Sequence, residues 1–585
     1  MKIFKLQVSN FRGIKSLDWD INVPFICLIG TGNSTKSTIL EAINYVLYPN
    51  WNPNFFDSDF YMANTSNPIV ITVIVGELPP ILKNLHKYGF CFGGRDNNGN
   101  LKNEPSDDDE VTLTIQLTVD DSLEPKWSYI SNRLTEVKAV STSERASFGV
   151  FQLGNFFDRE FSWIRGSTLS KLTSDDQEIL RTISKASRLA RDAINDSDFE
   201  ELKKVASETE RISTEFGASI TDLHPALDSK MTGTISLHQD KVPLSLSGLG
   251  SRRLAAIGMQ HSSMKDGSIL LIDEIEYGLE PYRVQHLVKK LIPDQNNGQT
   301  FITTHSPAVL PELKSEFIGL VRSFQGETII TSINNFPELD EIVRHVPEAF
   351  LGKKIIVCEG KTEQALCKEV DTRCCKQGRK PFAHLGVNVV IPSAGGGSKE
   401  SPKTALALAK LDFSTLYFGD SDERINPTEE ELTTNGVKVV LWGDNLCTEQ
   451  RVFADLVWEG VVKLVCDYIN EKLSYNSKEE VYKMIGDQLV SVATSEQREI
   501  AIFLRNSLCN STESYEQVIK QWNQTSEKDV RNLLGNASCS KKKSWFKSDS
   551  YAKLFAEIVI NFLDKSDSET DLVIKIKSIE TWVNE

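Results

Sequence analysis

The chain has 585 residues, 40% hydrophobic and 25% charged, with a formal net charge of −16. That length is too great for one ordinary core and calls for on the order of two to four domains of globular composition. The acidity argues against broad, non-specific nucleic-acid binding, which rests on phosphate neutralisation, but leaves room for a DNA enzyme whose basic groups share one groove.

No apolar stretch approaches the roughly 20 residues of a membrane span. Met1-Lys2-Ile3-Phe4-Lys5-Leu6 alternates as a strand does and is too short for a signal peptide. The ten cysteines lie at irregular spacings without paired CxxC units, so reduced thiols in a cytoplasmic protein are expected.

In chain order, residues 1–48 read strand, strand, loop, helix, with Ile26-Cys27-Leu28-Ile29 a buried-strand run and Ser37 to Tyr48 at helical spacing. Ile69 to Val75 and Val111 to Val119 are β-rich. Gly93 to Asp109, rich in Gly, Asn and Asp, reads as an exposed loop. From Ser170 the pattern turns to charged helix. Leu180, Ile183, Ala186, Leu189 and Ala193 fall on one face, and Phe199, Leu202 and Val205 continue it, predicting a helical insertion over 170–225 available for self-association. The α/β pattern resumes at Val242 and runs to Phe336. A helical bridge, Leu339 to Leu351, leads to a second domain, and beyond Asp455 the chain is largely helical.

Gly30-Thr31-Gly32-Asn33-Ser34-Thr35-Lys36-Ser37 follows a strand and opens a helix, the context of a phosphate-binding loop. Backbone N–H groups from Gly30 to Asn33 can cradle phosphates, Lys36 can reach the β- and γ-phosphates, and Ser37, with Thr38 beside it, can serve Mg²⁺. Thr35 stands where glycine is usual, so binding of ATP is better supported than its hydrolysis. Ile269-Leu270-Leu271-Ile272 ends in Asp273, suited to holding Mg²⁺, and Glu274, suited to orienting water. Leu246-Ser247-Gly248-Leu249-Gly250 is a Ser/Gly turn opening a helix, able to offer a hydroxyl and amides to a γ-phosphate across a dimer interface. Thr300-Phe301-Ile302 leads to His305, placed to sense that phosphate.

Together with Asn10-Phe11-Arg12-Gly13 and Tyr277-Gly278-Leu279-Glu280-Pro281, these segments resemble the ABC-type ATPase heads of the RecF, SMC and OLD (overcoming lysogenization defect) group. The resemblance implies two heads sandwiching ATP, Arg12 supporting the nucleotide and Ser247 acting in trans.

In the second half, Lys354-Ile355-Ile356-Val357-Cys358 leads into Glu359-Gly360-Lys361-Thr362-Glu363. Thr415-Leu416-Tyr417-Phe418-Gly419 leads into Asp420-Ser421-Asp422-Glu423. Short β-rich runs ending in acids read as buried parallel strands delivering ligands to a sheet edge. Asp at i and i+2 on a strand end would face one side and could hold one hard cation.

This arrangement is similar to the Toprim domain of topoisomerases, primases and OLD-family nucleases. The resemblance implies metal binding by Glu359, Asp420 and Asp422, with Glu363 and Glu449 (Asp455 in reserve) completing a two-metal set for Mg²⁺ or Mn²⁺. It also implies a lysine stabilising charge at the scissile phosphate, Lys547 first and Lys543 second, in the cluster Lys541-Lys542-Lys543-Ser544-Trp545-Phe546-Lys547, whose aromatics are interleaved with the basic residues. Ser393-Ala394-Gly395-Gly396-Gly397-Ser398 could approach a phosphate backbone or be a plain turn.

The expected architecture is α/β: an ABC-type ATPase over 1–345 with a helical insertion, then a Toprim domain with helical C-terminal part over 346–585. The order resembles OLD-family endonucleases, including the nuclease subunit of the Gabija anti-phage system and OLD effectors linked to retrons. It implies an ATP-binding, metal-dependent DNA endonuclease or nickase in antiviral defence, acting as a homodimer or higher oligomer, alone or with a helicase or a reverse transcriptase and its RNA. The alternatives are a regulatory ATPase whose Toprim region only binds DNA, a topoisomerase-like strand passer, and a DNA-repair ATPase of RecF or SMC type; the insertion is too short for a long coiled-coil arm.

Overall fold

The computed structural model describes residues 1–32, 34–49, 53–153, 158–164, 167–173, 179, 182, 199–227, 235–263, 267–292, 298–392, 397–540 and 544–585. It divides into two compact units, Met1–Asn335 and Phe336–Glu585, so the helical bridge counts with the second. Among the described residues no helix is long and apolar enough to cross a membrane.

The first unit is built on a 14-stranded sheet. Its parallel part runs Val150–Leu153, Ile269–Ile272, Gln299–Thr303, Phe25–Ile29 and Ile318–Phe324. Phe25–Ile29, Ile269–Ile272 and Gln299–Thr303 are buried at every position, as strands covered on both faces must be. Beyond Ile318–Phe324 the sheet becomes largely antiparallel, through Glu327–Ser332, Ile14–Asp20, Lys2–Phe11, Ile69–Gly76, Glu110–Val119 and Phe92–Arg95.

Two expectations change here. The amino-terminal region holds three strands before its helix, because Ile14–Asp20 pairs back on Lys2–Phe11 around a turn with positive φ at Asn10 and Arg12. Gly93 to Asp109 is not a plain loop: Phe92–Arg95 and Leu101–Lys102 pair, and Asp96 Oδ1 accepts from the N–H groups of Asn98 and Asn100 in the turn.

Of the predicted insertion, Leu180, Ile183, Ala186, Leu189 and Ala193 lie outside the described residues. Glu200–Glu215 is a helix burying Leu202, Ala206 and Ile212, and it packs on the helix Leu249–Ser263. A β-carbon on Gly258 would sit 3.1 Å from Ile212 Cγ2. That apolar stripe is therefore spent within the unit. Leu223–Leu227 then joins a three-stranded sheet with Ile235–Gln239 and Val242–Pro243, so the segment does not stay helical to 225.

The second unit holds a four-stranded, all-parallel sheet in the order Val387–Val390, Lys354–Cys358, Ser414–Gly419, Lys438–Leu441. The chain starts in Lys354–Cys358, places its next strand on one side and the following two on the other. That reversal opens a crevice at the carboxyl ends of Lys354–Cys358 and Ser414–Gly419. Helices from Trp458–Leu473 to Asp571–Asn584 wrap one continuous apolar core with the sheet.

Candidate functional site

The phosphate loop lies at the carboxyl end of Phe25–Ile29. Gly30 has φ 149°, and a β-carbon there would come within 2.5 Å of the Val321 carbonyl oxygen, so only glycine fits. Thr35 takes φ 66°, a left-handed conformation that costs a β-branched residue on the order of 1–3 kcal/mol. Lys36 folds back on the loop and donates to the Gly30 and Thr31 carbonyls, both at 3.0 Å, and to Ser34 Oγ at 3.1 Å. Burial pushes its ammonium down to about 8, against the upward pull of Asp273, Glu276 and Glu274. Asn33 lies outside the described residues, and Thr38 is half-buried on the first turn of the helix Lys36–Leu47.

Adjacent strands bring the partners. Ser37 Oγ donates to Asp273 Oδ1 at 3.0 Å, and Thr303 Oγ1 donates to the same oxygen at 2.5 Å. The hydroxyl and the acid that would share a magnesium ion thus already face each other. Glu274 sits at φ 47°, its N–H donating to Thr303 Oγ1 at 2.8 Å. His305 is exposed beyond that strand; burial of its ring and then Lys36 hold its pKa below the usual histidine range. Arg12 is held by Asp59 at 2.8 Å and by Glu41, with Phe11 and Tyr45 under its guanidinium. Ser247 lies half-buried just before the helix Leu249–Ser263.

Two residues of this site escape sequence reasoning. Arg253, fully buried on the helix after Ser247, donates through Nη2 to the Asp273 carbonyl at 2.6 Å and the Glu274 carbonyl at 2.7 Å. It therefore ties the Ser247 helix to the acidic turn. Glu276 accepts from Thr304 Oγ1 at 2.7 Å and the His305 N–H at 2.6 Å, fixing the histidine's backbone.

The second constellation lines a cavity of about 550 Å³ at the switch point of the parallel sheet. Glu359 follows Lys354–Cys358, and Glu363 lies in the first turn of the helix Lys361–Lys376. Asp420 and Asp422 follow Ser414–Gly419. Glu449 lies in the first turn of Thr448–Asp455, after Lys438–Leu441. All five line the cavity, with Glu423, Lys361 and Lys547.

Hydrogen bonds orient the acids. The Tyr417 hydroxyl (3.0 Å) and the Asp420 N–H (2.9 Å) donate to Glu359 Oε2. A β-carbon on Gly419 would sit 2.6 Å from that oxygen, which explains the glycine. Thr448 donates to Asp420 Oδ1 from its N–H at 2.8 Å and its hydroxyl at 2.9 Å, and the Trp442 indole N–H donates to Thr448 Oγ1. The Thr362 hydroxyl donates to Glu449 Oε1 at 3.2 Å.

Glu363 and Glu449 are only 4% and 3% exposed. Burial, then the facing Glu449 charge, pushes Glu363 up to about 7. Burial likewise raises Glu359, Asp420 and Glu449, with Lys547 pulling Glu449 back. Buried like charges without paired cations favour protons or metal ions. The donor set, all carboxylate oxygen with backbone and hydroxyl support, fits hard divalent cations. Among the described residues no three His, Cys, Asp or Glu side chains close into a finished metal cage; the mutually repelling acids turn instead to the donors just named.

Several sequence expectations are refined. Asp420 and Asp422 do not share a strand face, because the strand ends at Gly419 and the chain bends; Asp420 is held by Thr448 while Asp422 is exposed. Glu449 enters the cavity. The reserve, Asp455, is committed to Arg451 at 3.3 Å and to the Leu572 N–H at 3.0 Å. Lys541, Lys542 and Lys543 lie outside the described residues, as do 393–396 of the glycine-rich loop. Its Gly397 and Ser398 line the cavity, and the Gly397 N–H donates to the Glu359 carbonyl at 2.9 Å. Trp545 and Phe546 are no stacking platform for bases. Both are buried, Trp545 stacked on Tyr468 with ring centroids 4.7 Å apart, and they anchor the exposed Lys547 at the cavity rim.

A family described as "AAA domain, putative AbiEii toxin, Type IV TA system" matches residues 25–310. That match, over the segment that holds the phosphate loop, supports an ATPase-type domain in the first unit with ATP as its ligand. No curated protein matches the chain. Among solved structures, the Smc head bound to the C-terminal winged-helix domain of ScpA is 15% identical, covering 57% of this chain and 98% of that one, with a TM-score of 0.35. The Smc head with an extended coiled coil from Pyrococcus furiosus, bound to the C-terminal domain of ScpA, is 16% identical over 59% and 99%, TM-score 0.36. The SMC head domain from Thermotoga maritima is 14% identical over 57% and 99%, TM-score 0.29.

Proposed function

We propose that the chain is an ATP-binding, divalent-metal-dependent DNA endonuclease or nickase of OLD type, an antiviral effector whose cleavage is regulated by nucleotide. The observation that carries this reading is the convergence of Glu359, Glu363, Asp420, Asp422 and Glu449, with Lys547, on one cavity at the carboxyl ends of adjacent parallel strands.

Glu359, Asp420 and Asp422 would hold one Mg²⁺ or Mn²⁺, and Glu363 and Glu449 would contribute to a second. When bound, the ions supply a lowered water pKa and charge stabilisation at the phosphodiester. Tyr417 and the Asp420 N–H orient Glu359, and Thr448 orients Asp420. Lys547 adds positive charge at the rim for the phosphate oxygens. In the first unit, Lys36, Ser37, Asp273 and Glu274 hold and orient ATP, and Ser247 meets the nucleotide of a second head in a homodimer.

A second reading is a regulatory ATPase whose Toprim-type region binds DNA without cutting it. Plasmid DNA incubated with Mg²⁺ or Mn²⁺, with and without ATP, separates the two. Nicking that Glu359→Gln and Asp420→Asn abolish supports the nuclease; DNA binding without nicking in any condition supports the second reading.

A further inference from the structure

The carboxylate cavity faces an electrostatic problem that its acids do not solve. Among the described residues six carboxylates and two lysines line it, and the acids repel a phosphodiester until cations bind. Lys547 is one of those lysines. Lys361, the first residue of the helix Lys361–Lys376, is the other. Lys361 pairs with an acid of another helix: its Nζ lies 2.9 Å from Asp549 Oδ1. Asp549 opens the helix Asp549–Leu563, two residues after Lys547.

The pair is wet, with the lysine side chain 41% and the aspartate side chain 86% exposed. Exposed pairs of this kind are weak and readily exchanged. A backbone phosphate offers the same ammonium a similar anionic oxygen. The negative group paired with Lys361 thus stands on the segment that carries Lys547, which lines the cavity.

We propose that Lys361 contacts the DNA phosphodiester backbone and that Asp549 is a stand-in anion, holding the lysine at the rim until a phosphate displaces it. This rests on the nuclease reading and names how that site receives its substrate. Lys361 and Lys547 would grip neighbouring parts of one strand, and Asp549 would weaken binding of everything that cannot outcompete it.

The test is binding of a labelled short duplex by the full-length chain, followed by fluorescence anisotropy over a salt series with Ca²⁺ replacing Mg²⁺. Lys361→Ala should weaken binding about 3–10-fold and reduce the slope of log Kd against log salt by about 0.9, the loss of one phosphate contact. Lys361→Arg should restore both. Asp549→Asn should tighten binding by up to about fivefold, the worth of an exposed ion pair. Affinity and slope unchanged in Lys361→Ala, with the wild type binding normally, overturn the role of the lysine alone. Weaker binding by Asp549→Asn overturns the stand-in. A wild type that binds no duplex even at low salt overturns this inference and the nuclease reading together.

Discussion

Replacing Glu363 by Gln separates a cation-binding carboxylate from a structural one. Glu363 is buried and faces Glu449, and its pKa stands near 7 against an ordinary value of 4.5. A folded-state value above the unfolded one means the native state holds the proton more tightly. Its contribution to stability is complete below about pH 4.5 and is lost as pH rises through 7. By linkage the loss amounts to about 3 kcal/mol at pH 8 in the metal-free protein. Metal binding requires the ionised form, so a hundredfold excess of cation over Kd stabilises by about 2.7 kcal/mol at pH 8 and by less at pH 6.

The assay is thermal unfolding of wild type and Glu363→Gln from pH 5 to 9, with and without Mn²⁺. Taking the difference between the proteins cancels the titrating groups that do not interact with Glu363. For a unit of this size each kcal/mol moves the midpoint by about 2–4 °C. Metal-free Glu363→Gln should gain on the wild type as pH rises from about 4.5 to 7 and level off above that, and its response to Mn²⁺ should shrink. Curves that stay parallel across the whole range, with equal Mn²⁺ responses, would refute the reasoning.

Other substitutions test the ATPase half and the rim. Thr35→Gly relieves the left-handed threonine and should leave stability unchanged or raise it by about 1 kcal/mol while increasing ATP turnover; a clear drop in the unfolding midpoint would contradict the strain argument. Arg253→Met leaves the Asp273 and Glu274 carbonyls without their buried donor and should cost about 3 kcal/mol. It should lower ATP hydrolysis far more than nucleotide affinity, and equal losses in both would speak against a link to the acidic turn. Lys547→Ala should reduce DNA nicking at least tenfold while Mn²⁺ binding, measured by calorimetry, stays unchanged.

The parts of the molecule that local chemistry dictates were readable in advance. Strands buried on both faces announce themselves as unbroken apolar runs, and the groups just beyond them fall at the sheet's carboxyl edge, so the positions of Lys36, Asp273, Glu359 and Asp420 at that edge could be read from order alone. What pairing across the fold decides could not be read. Tyr417 and Thr448 matter because strand register and a helix start bring them to Glu359 and Asp420. Strand alternation misled at Asp422 because it presumes that the strand continues, and the chain bends after Gly419. Trp545 and Phe546 stand in the sequence as aromatics interleaved with lysines, and only their packing against Tyr468 and Phe555 shows them to be core. Ile14–Asp20 was missed because its polar, half-exposed pattern carries little apolar signal.

The most direct test of the central claim is nicking of supercoiled plasmid by purified wild type, Glu359→Gln and Asp420→Asn in Mn²⁺, with unfolding midpoints measured in parallel. Open-circular product from the wild type, lost on chelation and reduced at least a hundredfold in both folded variants, is the predicted result. Intact plasmid with the wild type in every metal and nucleotide condition, or equal nicking by all three proteins, would contradict it.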